Sequence, residues 1–373
     1  MSGVREILAS SVRRARCLGW QTVGRLGLRS TVPDVAFVLE RADWTLRSYG
    51  QYITNTVNAV HPGACGLVGD PARPLDRVVH FVSQHMWSNW GRFLSASNRY
   101  AVTFFHGKPE DGPDVARHID SFLSLLPRAE KVITAASIIE NRLIAWGVPR
   151  GKLVRIPIGV DTGAFTFADD AVRRTARKRL GVPDNRLCIG SFQKDGVGWG
   201  DGMEPKLIKG PDVFLDAVAR IAREMPVFVL LTGPARGYVK AGLDRLGIPF
   251  RHYYLHDYLR IIECYHALDI YLMTSREEGG PMSIMESMAT GTPIVATRCG
   301  MAEDVLIDNA NGALAPVGDA AAIAERALRL LSDPSRLQAI RAQARSDVMA
   351  YDWSAVGKSH WEKVYAPLLQ DIR

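Results

Sequence analysis

The chain has 373 residues, 47% of them apolar and 23% charged, and a formal net charge of +7. Such a length and balance fit two globular domains, each burying its own core, rather than a disordered chain. No run approaches the roughly 20 uninterrupted apolar residues that a membrane-spanning helix needs.

Six arginines fall within the first 29 residues: Arg5, Arg13, Arg14, Arg16, Arg25 and Arg29. They interrupt every apolar run between Met1 and Ser30, so the start does not read as a signal peptide. Residues 1–30 read either as a solvated or poorly ordered basic arm, or as an amphipathic segment on anionic lipid. In the second case Ile7, Leu8, Val12, Leu18 and Trp20 form its apolar side. Nucleic acid is not an expected partner, because no recognised nucleic-acid motif accompanies the charge. The cysteines Cys17, Cys65, Cys188, Cys264 and Cys299 show neither metal-ligand spacing nor a disulfide framework, which fits a reducing cytoplasm.

Beyond the arm, short apolar runs alternate with helical segments, the pattern of βαβ units. Strands are expected near Val35–Leu39, Gly66–Val68, Val78–Val82, Ala101–Phe105, Val132–Ala135 and Val154–Ile156, with helices around Val115–Leu126 and Ile138–Trp146. The alternation resumes with strands near Cys188–Phe192, Val227–Leu231, Ile270–Met273 and Ile294–Ala296. Helices there are expected at Val213–Glu224, Leu259–Ala267, Ile284–Ala289, Ala320–Ser332 and Arg336–Met349. The last helix opens around Tyr351–Ser354, with Ser354 as its candidate cap. The expected architecture is α/β, two doubly wound Rossmann-like domains facing a central cleft. The divisions are an arm at 1–30, a first domain at 31–162, a second at 163–350 and a returning helix at 351–373.

Candidate site residues cluster at strand ends, where such domains bind ligands. His106 follows the apolar strand ending at Phe104-Phe105. Lys194 ends the strand Ile189–Phe192, and Lys209 precedes Gly210 and a helix start. Between the two lysines runs Asp195-Gly196-Val197-Gly198-Trp199-Gly200-Asp201-Gly202, which lacks the dinucleotide-binding spacing. It reads either as a flexible surface loop or as a mobile flap over a phosphate.

The densest signal is Glu278-Gly279-Gly280-Pro281-Met282-Ser283-Ile284-Met285-Glu286, two glutamates eight positions apart. One carboxylate lies in a loop and the other on the helix that the loop opens. Pro281 suits a helix start, and the amides exposed there form an anion site. No Ser-His-Asp set or metal-binding cluster is apparent.

These residues resemble family 4 glycosyltransferases of the two-lobed GT-B fold. The strongest likeness is Ser275 to Val295, which follows the pattern Ser-x-x-Glu-Gly-x-Pro, then Glu-x-Met-Ala-x-Gly-x-Pro. Lys209-Gly210, Asn311-Gly312 and Ile156-Pro157-Ile158-Gly159-Val160-Asp161 support it, and the likeness runs from about Thr103 to Trp361. The resemblance implies retaining transfer of a hexose from a nucleotide-diphosphate donor, with uridine diphosphate expected on family frequency. It implies no required cofactor and no metal, the nucleotide sugar being a substrate. Glu286 would bind the ribose, and Glu278 the donor-sugar hydroxyls. Lys209 would neutralise the diphosphate, with Lys194 in place of the arginine common there. Amides of Gly279, Gly280, Met282 and Ser283 would hold phosphates and sugar, and His106 would contact the sugar from the acceptor lobe.

The acceptor stays open: a glycan, a lipid-linked glycan or a small molecule. The basic arm allows peripheral contact with the inner face of a membrane. The alternatives are a nucleotide-sugar epimerase of the same fold and a non-catalytic nucleotide- or sugar-binding protein. The sequence departs from the family after its first strand. The chain there reads Glu40-Arg41-Ala42-Asp43-Trp44-Thr45-Leu46-Arg47 instead of a Gly-rich turn.

Overall fold

The computed structural model describes residues 2–26, 32–39 and 45–372. Arg29 and the segment Glu40 to Trp44, where the Gly-rich turn is missing, lie outside them. The chain forms two units, Met1–Pro157 with Trp353–Arg373, and Ile158–Asp352.

In the first unit, strands β1 (Val35–Val38), β2 (Cys65–Val68), β3 (Val78–Phe81), β4 (Arg99–Thr103), β5 (Lys131–Thr134) and β6 (Leu153–Arg155) make one sheet. Their order is β2-β1-β3-β4-β5-β6, and every pairing is parallel. The β1 and β3 segments, Val-Ala-Phe-Val and Val-Val-His-Phe, are buried throughout. Strands covered on both faces carry such continuous apolar runs. The helices are α1 (Ser2–Arg25), α2 (Thr45–Val60), α3 (Gln84–Trp90), α4 (Pro113–Ser124) and α5 (Ser137–Ala145).

Helix α1 corrects the expectation of a solvated arm. Cys17, Trp20 and Gly24 follow at i, i+3 and i+7 and so share one face, which docks onto this unit. Cys17 is buried, and Arg16 Nη2 lies 2.7 Å from Asp70 Oδ2. A Cβ at Gly24 would fall 2.5 Å from Leu75 Cδ1. Trp20 therefore leaves the apolar stripe proposed for lipid and sits beneath the Arg73 guanidinium, 5.8 Å from the ring centroid. Leu8, Val12 and Leu18 stay exposed.

The second unit has strands β7 (Leu187–Ser191), β8 (Val227–Thr232), β9 (Phe250–Tyr253), β10 (Ile270–Met273), β11 (Ile294–Thr297) and β12 (Ala313–Ala315). All pair in parallel, in the order β12-β11-β10-β7-β8-β9. Its helices are α6 (Asp170–Arg179), α7 (Pro211–Ile221), α8 (Gly237–Arg245), α9 (Ile261–His266), α10 (Met282–Thr290), α11 (Ala302–Val305), α12 (Ala320–Leu331) and α13 (Pro334–Val348). Val213, Val218 and Ile221 of α7 join Ile323, Ala327 and Leu330 of α12 in one core over the sheet. The unit starts at Ile158 rather than 163 because its first residues are bound within it. Asp352 Oδ2 accepts the Thr162 amide and hydroxyl at 3.1 and 2.7 Å, and Arg345 donates to the Thr162 and Phe165 carbonyls.

The chain then returns to the first unit as α14 (Trp353–His360), a π-helical turn (Trp361–Tyr365) and α15 (Ala366–Gln370). Ser354 lies inside α14 rather than capping it, because the helix already begins at Trp353. The Trp353 ring stacks on Tyr52 of α2 at 5.0 Å. Tyr365 places its hydroxyl 2.8 Å from His80 Nδ1 and 3.2 Å from His360 Nδ1. Tyr49 reaches His360 Nε2 at 3.1 Å, and Thr103 reaches His80 Nε2 at 2.8 Å. Among the described residues no helix is long and apolar enough to cross a membrane.

This fully buried network predicts a pH dependence. Burial pushes His80 down to about 3 and His360 well below its ordinary value, with His80 and Lys363 adding to the second shift. Both rings are neutral when folded and gain protons on unfolding. Their contribution is therefore complete above a pH of about 6.5 and lost as pH falls toward the depressed values. Calorimetry from pH 7.5 to 4.5 should show the melting temperature of this unit falling below about pH 6.5. Tyr365→Phe should cost about 1–3 kcal/mol, by leaving buried ring nitrogens unpartnered.

Candidate active site

Strands β7 and β10 lie side by side, but their connections leave in opposite lateral directions, toward β8 and toward β11. A parallel sheet opens a crevice at such a point, beyond the carboxyl ends of the strands. The loop after β7 ends at Lys209-Gly210, and the loop after β10 carries Glu278 into α10. Gly210 adopts φ +63°, and a Cβ there would lie 2.0 Å from the Thr274 carbonyl oxygen. Only glycine lets the two loops approach this closely. Thr274 Oγ1 donates to the Gly210 carbonyl at 2.9 Å, and Arg276 forks onto both carboxylate oxygens of Asp212 at 2.8 and 2.7 Å.

This bracing brings Lys209 Nζ to 2.5 Å from Glu278 Oε1. Ser275 Oγ donates to the same oxygen at 2.9 Å, and Gln193 Nε2 holds the Lys209 carbonyl at 2.9 Å. Both charged side chains are largely buried, so Lys209 is not an exposed turn lysine. Lys194 instead lies with its Nζ 4.0 Å from the Trp199 ring centroid. Lys206 is a third cation here, missed in the sequence although it precedes Lys209 by three residues on the same short turn. Burial lowers its pKa, and the charges of Lys209 and then Lys194 lower it further.

Glu286 is 3% exposed, on the inner face of α10. Tyr265 donates to its Oε2 at 2.6 Å, and Tyr258 donates to Oε1. Burial raises the carboxyl pKa, while the two tyrosine hydrogen bonds pull it back. Both tyrosines went unnoticed in the sequence, where nothing in their spacing pairs them with a glutamate. Gly279 and Gly280 lie in the loop before α10, and Met282 and Ser283 are the first residues of that helix, whose first amides lack intrahelical acceptors. Gly300 passes directly behind Glu278, where a Cβ would sit 2.9 Å from the Glu278 Cβ.

The glycine-rich loop is anchored. Val197 N donates to Glu204 O at 2.9 Å and Lys206 N to Asp195 O at 2.7 Å, closing a small hairpin. Asp195 pairs at 3.0 Å with the wholly buried Arg236, whose guanidinium also binds the Ser191 and Thr232 carbonyls. His106 belongs to the other unit, after β4. Gln84 binds the backbone on both sides of it, accepting from Phe105 N and donating to the His106 carbonyl.

Residues 201–333 match the family model described as glycosyl transferases group 1. Over this stretch, about a third of its length, the chain is similar to group 1 glycosyl transferases. It is 26% identical over 344 residues to a D-inositol 3-phosphate glycosyltransferase of Kineococcus radiotolerans, covering 82% of this chain and 75% of that protein. A protein of the same name from Xylanimonas cellulosilytica is 29% identical over 225 residues, 57% of this chain and about half (51%) of its own length. In fold, the chain is similar to Anabaena Alr3699/HepE, solved with UDP-glucose. The TM-score is 0.73 at 18% identity, over 89% of this chain and 99% of that one. Its two parallel six-stranded sheets are those of the GT-B fold.

The contact at Gly210 can be tested against a glycine of similar conformation in open space. Gly247 has φ +64° and would meet nothing within 4 Å. Gly247→Ala should therefore cost only its backbone strain, about 1 kcal/mol. Gly210→Ala adds a backbone clash and should cost about 3 kcal/mol or more, read by urea unfolding.

Proposed function

We propose that this chain is a glycosyl transferase that moves a hexose from a uridine diphosphate sugar to an acceptor hydroxyl, with retention at the anomeric carbon. The observation that carries this reading is the meeting, at the β7/β10 switch point, of a lysine cluster with the buried carboxylates Glu278 and Glu286. Breaking the sugar–phosphate bond builds negative charge on the departing diphosphate. Lys209, Lys206 and Lys194, with the first amides of α10, are the groups assigned to receive it. Once the diphosphate takes Lys209, Glu278 is released to hydrogen-bond the sugar hydroxyls. Glu286 is assigned to the ribose, and His106 to the sugar on the family resemblance alone. No metal or cofactor is invoked, and retention is assigned to front-face attack within the ion pair.

The acceptor class follows the relatives only in part. Proteins named D-inositol 3-phosphate glycosyltransferases make a phosphorylated polyol the first acceptor to test, beside glycan and lipid-linked ones. The exposed Leu8, Val12 and Leu18 of α1, flanked by exposed Arg14, support peripheral contact with an anionic membrane surface.

Nucleotide release from a panel of nucleotide sugars, with and without each acceptor, tests the reading. Acceptor-stimulated release of UDP is expected. Epimerised donor without release would favour an epimerase, and binding without turnover a non-catalytic protein. Lys209→Ala should lower kcat about 100-fold, and Glu286→Ala should weaken donor binding about 10- to 100-fold. Cosedimentation should recover the protein with phosphatidylglycerol vesicles but not with phosphatidylcholine alone. Val12→Asp should abolish that recovery.

A further inference from the structure

Glu286 has two partners of different character. Tyr265 belongs to α9 and is wholly buried, so its hydrogen bond is part of the core. Tyr258 is 38% exposed and opens a single 3-10 turn, Tyr258–Arg260. Around it Tyr254 is 63% and Leu259 45% exposed, while the Tyr258 ring lies 6.2 Å from that of Phe165 and Asp257 Oδ1 caps the turn at the Leu259 amide. The Tyr258 hydroxyl nevertheless donates to Glu286 Oε1 and helps leave that carboxylate 3% exposed. Tyr258 thus covers Oε1, and a ligand hydroxyl has to compete with it for the exposed side of that oxygen.

We propose that Tyr258 is a displaceable stand-in for the donor ribose, occupying the hydroxyl position on Glu286 until a nucleotide takes it. This rests on the assignment of Glu286 to the ribose. A buried carboxylate left without a donor is costly, so the free protein gains by supplying its own hydroxyl. A ribose diol supplies the same chemistry, sharing Oε2 with Tyr265 and replacing Tyr258 on Oε1. Each binding event then replaces the Tyr258 bond on Oε1 with one from the ribose, adds a second ribose bond on Oε2, and moves the exposed turn outward. Tyr258 is thus a positioning residue that sets the affinity and selectivity for a ribose bearing free hydroxyls.

The test is calorimetric titration of the full chain with UDP and with 2′,3′-dideoxyuridine diphosphate. Tyr258→Phe removes the competing hydroxyl, so UDP should bind about three- to tenfold more tightly. The dideoxy nucleotide, which cannot claim Glu286, should bind the variant and the parent equally. Tyr258→Ala should repeat the pattern should the phenylalanine ring itself obstruct the site. Unchanged or weaker UDP binding in both variants, or an equal shift for both nucleotides, overturns the stand-in role while leaving the donor reading intact. Failure of the parent protein to bind UDP at all overturns the donor reading and this inference with it.

Discussion

The site in the second unit depends on the ion pair between Lys209 and Glu278, 69 positions apart in the chain. Neither loop reaches the other by local preference. They meet because β7 and β10 are neighbours, and because Gly210 removes the one side chain that would hold Thr274 away. Burying two charges costs more desolvation than a surface pair would, and attraction offsets that only where geometry and extra hydrogen bonds are good. Ser275 supplies such a bond to Glu278, and Gln193 fixes the backbone carbonyl of Lys209. The pair is therefore a specified arrangement rather than a general source of stability.

The two glutamates of the motif are stabilised in opposite ways. Glu278 is matched by a cation and stays ready to change partners when an anion competes for that cation. Glu286 is matched by neutral hydroxyls in a fully buried setting, where burial raises its pKa and the tyrosines restrain the rise. The first arrangement responds to charge and the second to hydrogen-bonding shape. A nucleotide sugar presents both kinds of group, phosphates and diols, within one molecule.

What could be read from the sequence follows the strength of burial. Ile270–Met273 is covered on both faces, and its continuous apolar run marked its bounds to the residue. Strand β9 escaped notice because Phe250-Arg251-His252-Tyr253 lies at the sheet edge and is nowhere fully buried. Helix α6 was hidden by its composition: Arg173 and Arg177 spend their charge on Asp269 and on backbone carbonyls rather than on solvent. In the site, Lys209, Glu278 and Glu286 stood out through a local motif. Tyr258, Tyr265 and Lys206 did not, since each acquires its role only from chain distant in sequence or from a turn that folding creates.

The glycine-rich loop shows how composition can suggest the wrong physical property. Four glycines in eight residues, Asp195 to Gly202, suggest a flap. Two of them are instead required by contact. A Cβ at Gly196 would lie 2.4 Å, and one at Gly202 2.2 Å, from the Ala235 carbonyl oxygen. The carbonyls of Asp201 and Gly202 in turn accept the Gly237 and Tyr238 amides at the start of α8, at 2.7 and 2.9 Å. Arg236, between those two contacts, ties Asp195 to the ends of β7 and β8. Glycine here allows close packing around a buried ion pair, and the conformational freedom it brings to an unfolded chain is lost in the folded one. The loop is thereby anchored at both ends, at Gly196 and Gly202, while Gly198 and Gly200 stand in open space on either side of the exposed Trp199.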